Sequence, residues 1–195
     1  MSRTALIERN TKETQIKLSI DIDGTGKSEI NTGIGFFNHM LEGFSKHGFF
    51  DLNASVTGDL DVDGHHSVED TGIVLGNAIK NALGDKKGIK RFGYFILPMD
   101  DALALCSIDL SGRPYFSFDC EFPTEMIGEF DTQLVKEFFY AVSYSGMMNI
   151  HIKLISGENS HHIAEAVFKT FAKALDEATS YDERISDVLS TKGVL

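Results

Sequence analysis

The sequence predicts an α/β domain of the α+β type, made of two copies of a ββαβα-like half related by a pseudo-two-fold axis, with mixed or antiparallel sheets packed on helices. Runs with an apolar residue at every second position alternate with runs at helical spacing, the two periods that separate half-buried strands from amphipathic helices. The order helix, strand, helix occurs at 36–83 and again at 132–178. Each occurrence ends in a helix that carries an HHxxE motif. Aligning His65-His66 on His161-His162 also sets Glu69 on Glu165, Leu75 on Phe171, Ala78 on Ala174 and Ile79 on Leu175, the self-similarity of an internal repeat. The 195 residues suit one domain with a real core: a single unit over 1–195, with a first half at about 1–90, a second at about 91–180 and a tail at 181–195.

The elements follow in order. In TQIKLSIDID, Ile16, Leu18, Ile20 and Ile22 alternate with polar residues, and after the Gly24-Thr25-Gly26 turn KSEINTG can return as the partner strand. Phe36, Phe37, Met40, Leu41 and Phe44 recur at helical spacing, with Gly48 after Lys46-His47 as a C-cap. Phe50 to Val62 reads as a strand, and Val68, Leu75, Ile79 and Leu83 mark a helix from about His65 that Gly84 stops. Strands at Arg91–Met99 and Ala102–Leu110 precede the turn Ser111-Gly112-Arg113-Pro114, after which Tyr115, Phe116, Phe118 and Cys120 continue the sheet. Asp131-Thr132 can cap a helix carrying Leu134, Val135, Phe138, Phe139 and Val142. Met147 to Ile155 returns to strand, and a helix from about Ser160 carries Val167, Phe171 and Leu175. The tail SDVLSTKGVL is either an ordered arm or frayed.

Composition narrows the function. A net charge of −11, from 18 basic and 29 acidic residues, argues against nucleic acid, because a phosphate-backbone binder carries a basic excess. A small anion remains possible where a few Arg and Lys converge. No apolar run approaches the ~18 residues that span a bilayer, and MSRTALIERNTKETQ lacks the apolar core of a secretory signal. A cytoplasmic protein without a membrane partner is the expectation. Cys106 and Cys120 are too few for a disulfide framework and read as buried small residues.

The chemistry lies in the histidines. On a helix, residues i and i+4 share a face, so His65 can share a metal with Glu69, and His161 with Glu165. His66 and His162 point about 100° away and must serve something else. Imidazole and carboxylate donors suit Mn, Fe, Co, Ni or Zn, and the absence of thiolates argues against a structural zinc. Further ligands are His39 in FFNHML and either Glu137, which the repeat sets opposite His39, or His151 in NIHIKL. Glu137 is preferred. Asp63 or Asp70 could orient the imidazoles through their second nitrogens.

FFNHMLEGFSKHG, DVDGHHSVEDTGIVLG, IKRFG, PMDDALA, DLSGRPY, FDTQLVKEFF, NSHHIAEAVFKTFAKAL and STKGVL together resemble the imidazoleglycerol-phosphate dehydratase family of histidine biosynthesis, from about Arg9 to the last residue. Nothing resembles the phosphatase domain fused to some family members. The resemblance implies a duplicated fold and two Mn(II) ions per active site, with ligands at His39, His65, His66, Glu69, His161, His162 and Glu165. The eighth position is Glu137 here, where several relatives have His. Gly64 stands where Asp is usual, and Leu189 where a proline precedes the tail Ser. The resemblance also implies trimers stacked into a homo-oligomer of two dozen subunits, with active sites between neighbouring chains. The substrate phosphate would be held at positions Arg91, Arg113, Lys169, Ser190 and Lys192. His47 would contact substrate.

The activity so implied is conversion of imidazole-glycerol phosphate to imidazole-acetol phosphate, by loss of an unactivated C–H proton and a hydroxyl. Two ions gripping both ring nitrogens could hold the ring as imidazolate, which can expel the hydroxyl to leave a diazafulvene-type intermediate. Glu13, in TKETQ, is the first candidate for the general acid or base and Glu165 the second. Two other readings remain: a dinuclear metallohydrolase such as a phosphatase, and a protein whose metals only join subunits.

Overall fold

Strand β2 (Thr14–Asp21) buries Thr14, Ile16, Leu18 and Ile20 and turns the residues between them outward, and this alternation sets which face of the first sheet meets the helices. The computed structural model describes residues 2–195. In the first half, β1 (Thr4–Asn10), β2 and β3 (Ser28–Asn31) precede α1 (Gly35–Gly48), β4 (Asp51–Gly58) and α2 (His65–Leu83). In the second, β5 (Phe92–Met99), β6 (Ala102–Asp109) and β7 (Tyr115–Asp119) precede the short pair β8 (Met126–Ile127) and β9 (Phe130–Asp131). Then come α3 (Gln133–Gly146), β10 (Asn149–Ser156) and α4 (Ser160–Thr179).

The two four-stranded sheets have orders β1-β2-β4-β3 and β5-β6-β10-β7. In each, the last pair is parallel and the others antiparallel. The duplication read from the sequence is therefore present in the topology, with the main sheet of each half one strand larger than the ββαβα-like unit and the short β8–β9 pair added in the second half. The additional strand of the first half, β1, alternates only between exposed and half-buried residues. A sheet edge of that kind leaves no strong period-2 signal. Nor does KSEINTG return beside β2. Asp51, at the start of β4, accepts hydrogen bonds from Thr25 N (2.8 Å) and Lys27 N (2.9 Å), which carries the chain past β4 and pairs β3 with its far edge in parallel. The C-cap of α1 also moves by one: Phe49 takes the left-handed conformation (φ 58°), while Gly48 lies buried against the Phe50 ring.

The helices lie between the sheets. α2 packs on β1, β2 and β4, α4 on β5, β6 and β10, and the halves meet where α2 packs on α3 and α1 on α4. Gly72 and Gly76 permit the first contact. A Cβ on either would stand 2.7 Å from a backbone carbonyl of α3, that of Phe138 or Val142, so only glycine allows the two backbones this close. A chain of phenylalanine rings joins the other helices, with centroid separations of 5.3 Å for Phe37–Phe138, 5.2 Å for Phe138–Phe168, 5.0 Å for Phe139–Phe171 and 5.7 Å for Phe44–Phe171. Each such pair adds about 0.5–1.5 kcal/mol beyond its burial. Cys106 is fully buried and Cys120 half-buried, and burial pushes both thiols up, consistent with inert packing residues.

The tail is an ordered arm. Gly88 N donates to Asp187 O (3.1 Å), Arg91 Nη1 to Leu189 O (2.7 Å), and the last residue, Leu195, rests against Gly112.

Candidate metal centre

The contact of α1 with α4 brings together three donors from two helices. Glu165 Oε2 lies 3.4 Å from His161 Nε2, one turn earlier on α4, and 3.9 Å from His39 Nε2 on α1. Donor atoms of these three residues all fall within 4.8 Å of one another. A transition metal with ligand bonds of about 2.0–2.2 Å holds its donors roughly 3–4 Å apart, so this triad can close on one ion with little movement. Lys169, the next turn of α4, sets its Nζ 2.7 Å from Glu165 Oε1. Burial alone would raise the Glu165 carboxyl; the Lys169 ammonium, with His39 and His161, carries it below its ordinary value.

The related contact of α2 with α3 presents the first motif. His65 Nε2 is 3.6 Å from Glu69 Oε2. The Tyr140 hydroxyl of α3 is raised first by Tyr144, then by burial, and further by the charges of Glu137 and Glu69. His151 is elsewhere. It sits on the exposed face of β10, opposite the buried Ile150 and Ile152 that face the helices, with its ring 5.3 Å from Tyr115.

The adjacent imidazoles diverge as the helical period requires. His65 and His66 have ring centroids 6.1 Å apart at 83°, and His161 and His162 6.1 Å apart at 80°. Each outward imidazole has its Nδ1 engaged by a carboxylate: His66 by Asp59 at 2.9 Å, His162 by Asp101 at 2.5 Å. Those bonds raise both imidazoles above their ordinary value. An Nδ1–H donated to such a carboxylate leaves Nε2 with its lone pair free, the tautomer common among metal-bound histidines. Asp101 is itself held far below the usual carboxylate range by the backbone N–H of Glu158, by His162 and by the N–H of Asn159. Asp59 and Asp101 take the place expected for Asp63 and Asp70. Asp63 Oδ1 instead accepts from His65 N (2.7 Å) at the start of α2, and Asp70 points back to β1 and β2. An α4 cap does the same work in the second half, where Asn159 accepts from His161 N and His162 N.

A second carboxylate approaches Nε2 in each half. Glu13, between β1 and β2, has Oε2 at 4.0 Å from His66 Nε2, and Asp100, between β5 and β6, has Oδ2 at 3.5 Å from His162 Nε2. These turns are counterparts in the repeat. Sequence reasoning missed Asp59, Asp100 and Asp101; the paired acids at a strand-to-strand turn were the available signal for the last two.

His65 and His161 open on one cleft of about 960 Å³, walled by Phe36, Phe130, Asp131 and Leu134. His47 lies two turns beyond His39 on α1, and burial, then the charges of Lys169 and Lys173 on α4, lower its imidazole below its ordinary value. The other basic candidates are not here. Phe92 and Asn149 both pair with Asp109, at the end of β6 opposite Ala102. Arg91 and Arg113 therefore lie a full strand, about 20–25 Å, from the turn that holds His162. Arg91 makes two bonds to Asp109 (2.7 and 3.1 Å) and one to the tail carbonyl of Leu189, and Arg113 Nη1 donates to Ser111 O (3.3 Å). Ser190 and Lys192 follow from Leu189 on that side, the first half-buried and the second exposed.

The model of the imidazoleglycerol-phosphate dehydratase family matches residues 32–175. The chain belongs to the imidazoleglycerol-phosphate dehydratase family. The imidazoleglycerol-phosphate dehydratase of Lachnoclostridium phytofermentans is 63% identical over 195 residues, all of both chains. The crystal structure of the Staphylococcus aureus imidazoleglycerol-phosphate dehydratase superposes with a TM-score of 0.84 at 42% identity, over 92% of this chain and 99% of that one. The Pyrococcus furiosus dehydratase, solved in complex with (S)-C348, gives 0.84 at 41% identity over 97% and 100%. A duplicated α/β fold with a cluster of His and Glu that could hold a metal is thus a property of a dehydratase family member, and it sets aside the metallohydrolase and the purely assembling protein.

Proposed function

We propose that this chain dehydrates imidazoleglycerol phosphate at a centre of two divalent transition-metal ions, Mn(II) foremost, held by His39, His65, His66, Glu69, Glu137, His161, His162 and Glu165. The activity itself, a hydro-lyase step of histidine biosynthesis, is that of the family. The observation that carries the metal reading is the His39–His161–Glu165 triad, beside imidazoles whose Nδ1 atoms are already committed to Asp59 and Asp101. Nitrogen donors with a minority of carboxylates and no thiolate suit Mn(II) as well as its neighbours.

The bound ions would supply Lewis acidity and a template for the imidazole ring. Chemistry then requires a C–H proton and a hydroxyl to leave as water, and the chain must hold that proton. We assign this to Glu13, and its Oε2 at 4.0 Å from the outward nitrogen of His66 supports the assignment. Glu165 is the alternative, kept ionised by Lys169. His47, poised toward α4 and biased to its neutral form, contacts substrate. Phosphate binding falls to Lys169, Arg91, Arg113, Ser190 and Lys192, with the guanidinium groups offering paired donors.

Lys169 and the two arginines lie at opposite ends of β6, farther apart than a small phosphorylated alcohol is long. That separation supports a site completed by a neighbouring chain, as does the assembly of trimers into two dozen subunits that the resemblance implies. Among the described residues no helix is long and apolar enough to cross a membrane, and a cytoplasmic setting belongs to the same reading. The test is direct: purified, metal-replete protein is given imidazoleglycerol phosphate, and imidazole-acetol phosphate and inorganic phosphate are both followed, with metal counted per chain. Ketone product and two ions are expected. Phosphate release without ketone, or no more than one ion, would overturn the proposal. Glu13→Gln should keep its metal and lose turnover by orders of magnitude.

A further inference from the structure

Asp70 lies one residue past Glu69 of the first HHxxE motif but serves a different partner. Its carboxylate is nearly buried, with a side-chain exposure of 10%. Oδ2 accepts from Thr14 Oγ1 at 2.5 Å, and Oδ1 from Arg9 Nε at 3.0 Å, with Arg9 Nη2 at 2.9 Å. Thr14 is 1% exposed. Thr11 Oγ1 in turn accepts from the backbone N of Glu13 (3.1 Å) and of Thr14 (2.9 Å). One buried acid on α2 thus grips both strands of the β1–β2 hairpin, on either side of the turn that carries Glu13.

The repeat shows that neither the fold nor the metal clamp requires this grip. The position matching Asp70 on α4 is Ala166, and the matching β5–β6 turn is fixed from outside, by Glu158 N and Asn159 N donating to Asp101 (2.6 and 3.0 Å). Both halves nonetheless build the same sheet and the same HHxxE geometry. The carboxylates on the two turns differ as well: Asp100 follows β5 directly and stands 3.5 Å from His162 Nε2, whereas Glu13 reaches His66 Nε2 only at 4.0 Å from a turn whose two flanking strands Asp70 holds.

We propose that Asp70, acting through Thr14 and Arg9, is a positioning residue that holds the Glu13 turn against the His66 imidazole. This rests on the reading of Glu13 as the acid–base group. A carboxylate that must meet a substrate proton within hydrogen-bond reach tolerates little drift, and misplacement by about 1 Å can cost about 100-fold.

The experiment is a cycle on the assembled, metal-replete enzyme with imidazoleglycerol phosphate: Thr14→Val, Thr14→Ser, Asp70→Asn, Glu13→Gln and Glu13→Gln/Thr14→Val. For each, kcat, KM, bound metal and hydrogen exchange at residues 11–14 are measured. Thr14→Val, which keeps the shape and deletes the donor, should lower kcat by about 10- to 100-fold with KM and metal content held. Exchange at the turn should speed up, Thr14→Ser should recover most of the loss, and Asp70→Asn should fall in the same direction. In the Glu13→Gln background Thr14→Val should add nothing further. If Glu13→Gln loses turnover while Thr14→Val does not, or if Thr14→Val costs as much with Glu13 absent as with it present, the positioning role is overturned and the acid–base reading stands. Full turnover in Glu13→Gln overturns both.

Discussion

Lys169 Nζ and Glu165 Oε1 lie 2.7 Å apart, on the side of the carboxylate away from Oε2, which faces His39 and His161. The ammonium stabilises the ionised carboxylate that a metal needs while leaving one oxygen free to ligate. The first motif has no such partner, since Ile73 occupies the position that matches Lys169. In Lys169→Met, burial prevails and the Glu165 carboxyl moves up from its lowered value. Its proton then competes with metal over a wider range of acid pH. Metal uptake, followed by equilibrium dialysis from about pH 8 to about pH 5.5, should become steeper in pH, weaker at the acid end and no weaker at the alkaline end. Parallel curves for the two proteins would refute this.

The carboxylates behind the outward imidazoles make a second prediction. Asp101→Asn removes the acceptor that orients His162, and Asp59→Asn the one that orients His66. Loss of such a partner typically costs about 10- to 100-fold in metal affinity. Each variant should weaken binding by that factor for one of the two proposed ions, read by competition with a chromogenic chelator, and leave the other unchanged. Asp63→Asn, whose partner is a backbone N–H at the start of α2, should leave both within about threefold. A uniform loss from all three would mean that these acids act through bulk charge.

The HHxxE repeat was readable because helical spacing converts sequence distance into geometry. His161 to Glu165 is one turn wherever the helix lies, and so is His65 to Glu69. Whether His39 or Glu137 joins them depends on which helices touch, and that follows from Gly72 and Gly76 and from the phenylalanine ring chain, a packing result that periodicity does not carry. The same limit explains Asp59 and Asp101. Both come from outside the helices they serve, and Asp70, the nearer acid in sequence, faces the hairpin instead. β1 stayed silent because an edge strand with no fully buried position leaves little period-2 contrast. Arg91 and Arg113 were legible as residues, yet only strand register shows how far they lie from the α4 motif.

His47 gives a pH signature. Burial, then Lys169 and Lys173, lower its imidazole below the ordinary 6.5. The unfolded chain therefore binds more protons than the folded one between that lowered value and 6.5, so this residue's contribution is intact above 6.5 and lost as pH falls through the folded-state value. His66 and His162 shift the opposite way, so total stability is not diagnostic, but the difference from a variant is. In metal-free protein, the melting temperature of the wild type should fall relative to His47→Gln as pH drops from about 7.5 to about 5. A difference that stays flat across that range would show that His47 does not titrate as its surroundings dictate.

Gly76 tests the packing that presents the first motif. Alanine would contribute up to about 1 kcal/mol of helix propensity over glycine at a mid-helix position. Here the added methyl would stand 2.7 Å from Val142 O, 2.8 Å from Gly146 N and 3.0 Å from Ser145 Cβ. Two of the three are backbone atoms, which cannot swing aside as the end of a side chain can. Overpacking of this kind costs roughly 1–3 kcal/mol and sometimes more, so the steric term exceeds the propensity gain. Gly76→Ala should be less stable than the wild type by about 1–2 kcal/mol in urea unfolding of the metal-free protein. Because α2 must then stand off from α3, binding at the His65–Glu69 end should weaken more than at the His39–His161–Glu165 triad, which α1 and α4 build without it. Gly43→Ala is the control, since nothing lies within 4 Å of a Cβ there; it should be neutral or stabilising. Equal stability for Gly76→Ala and the wild type would mean that the α2–α3 contact relaxes without cost, and the account of how α3 holds the first motif in place would lose its basis.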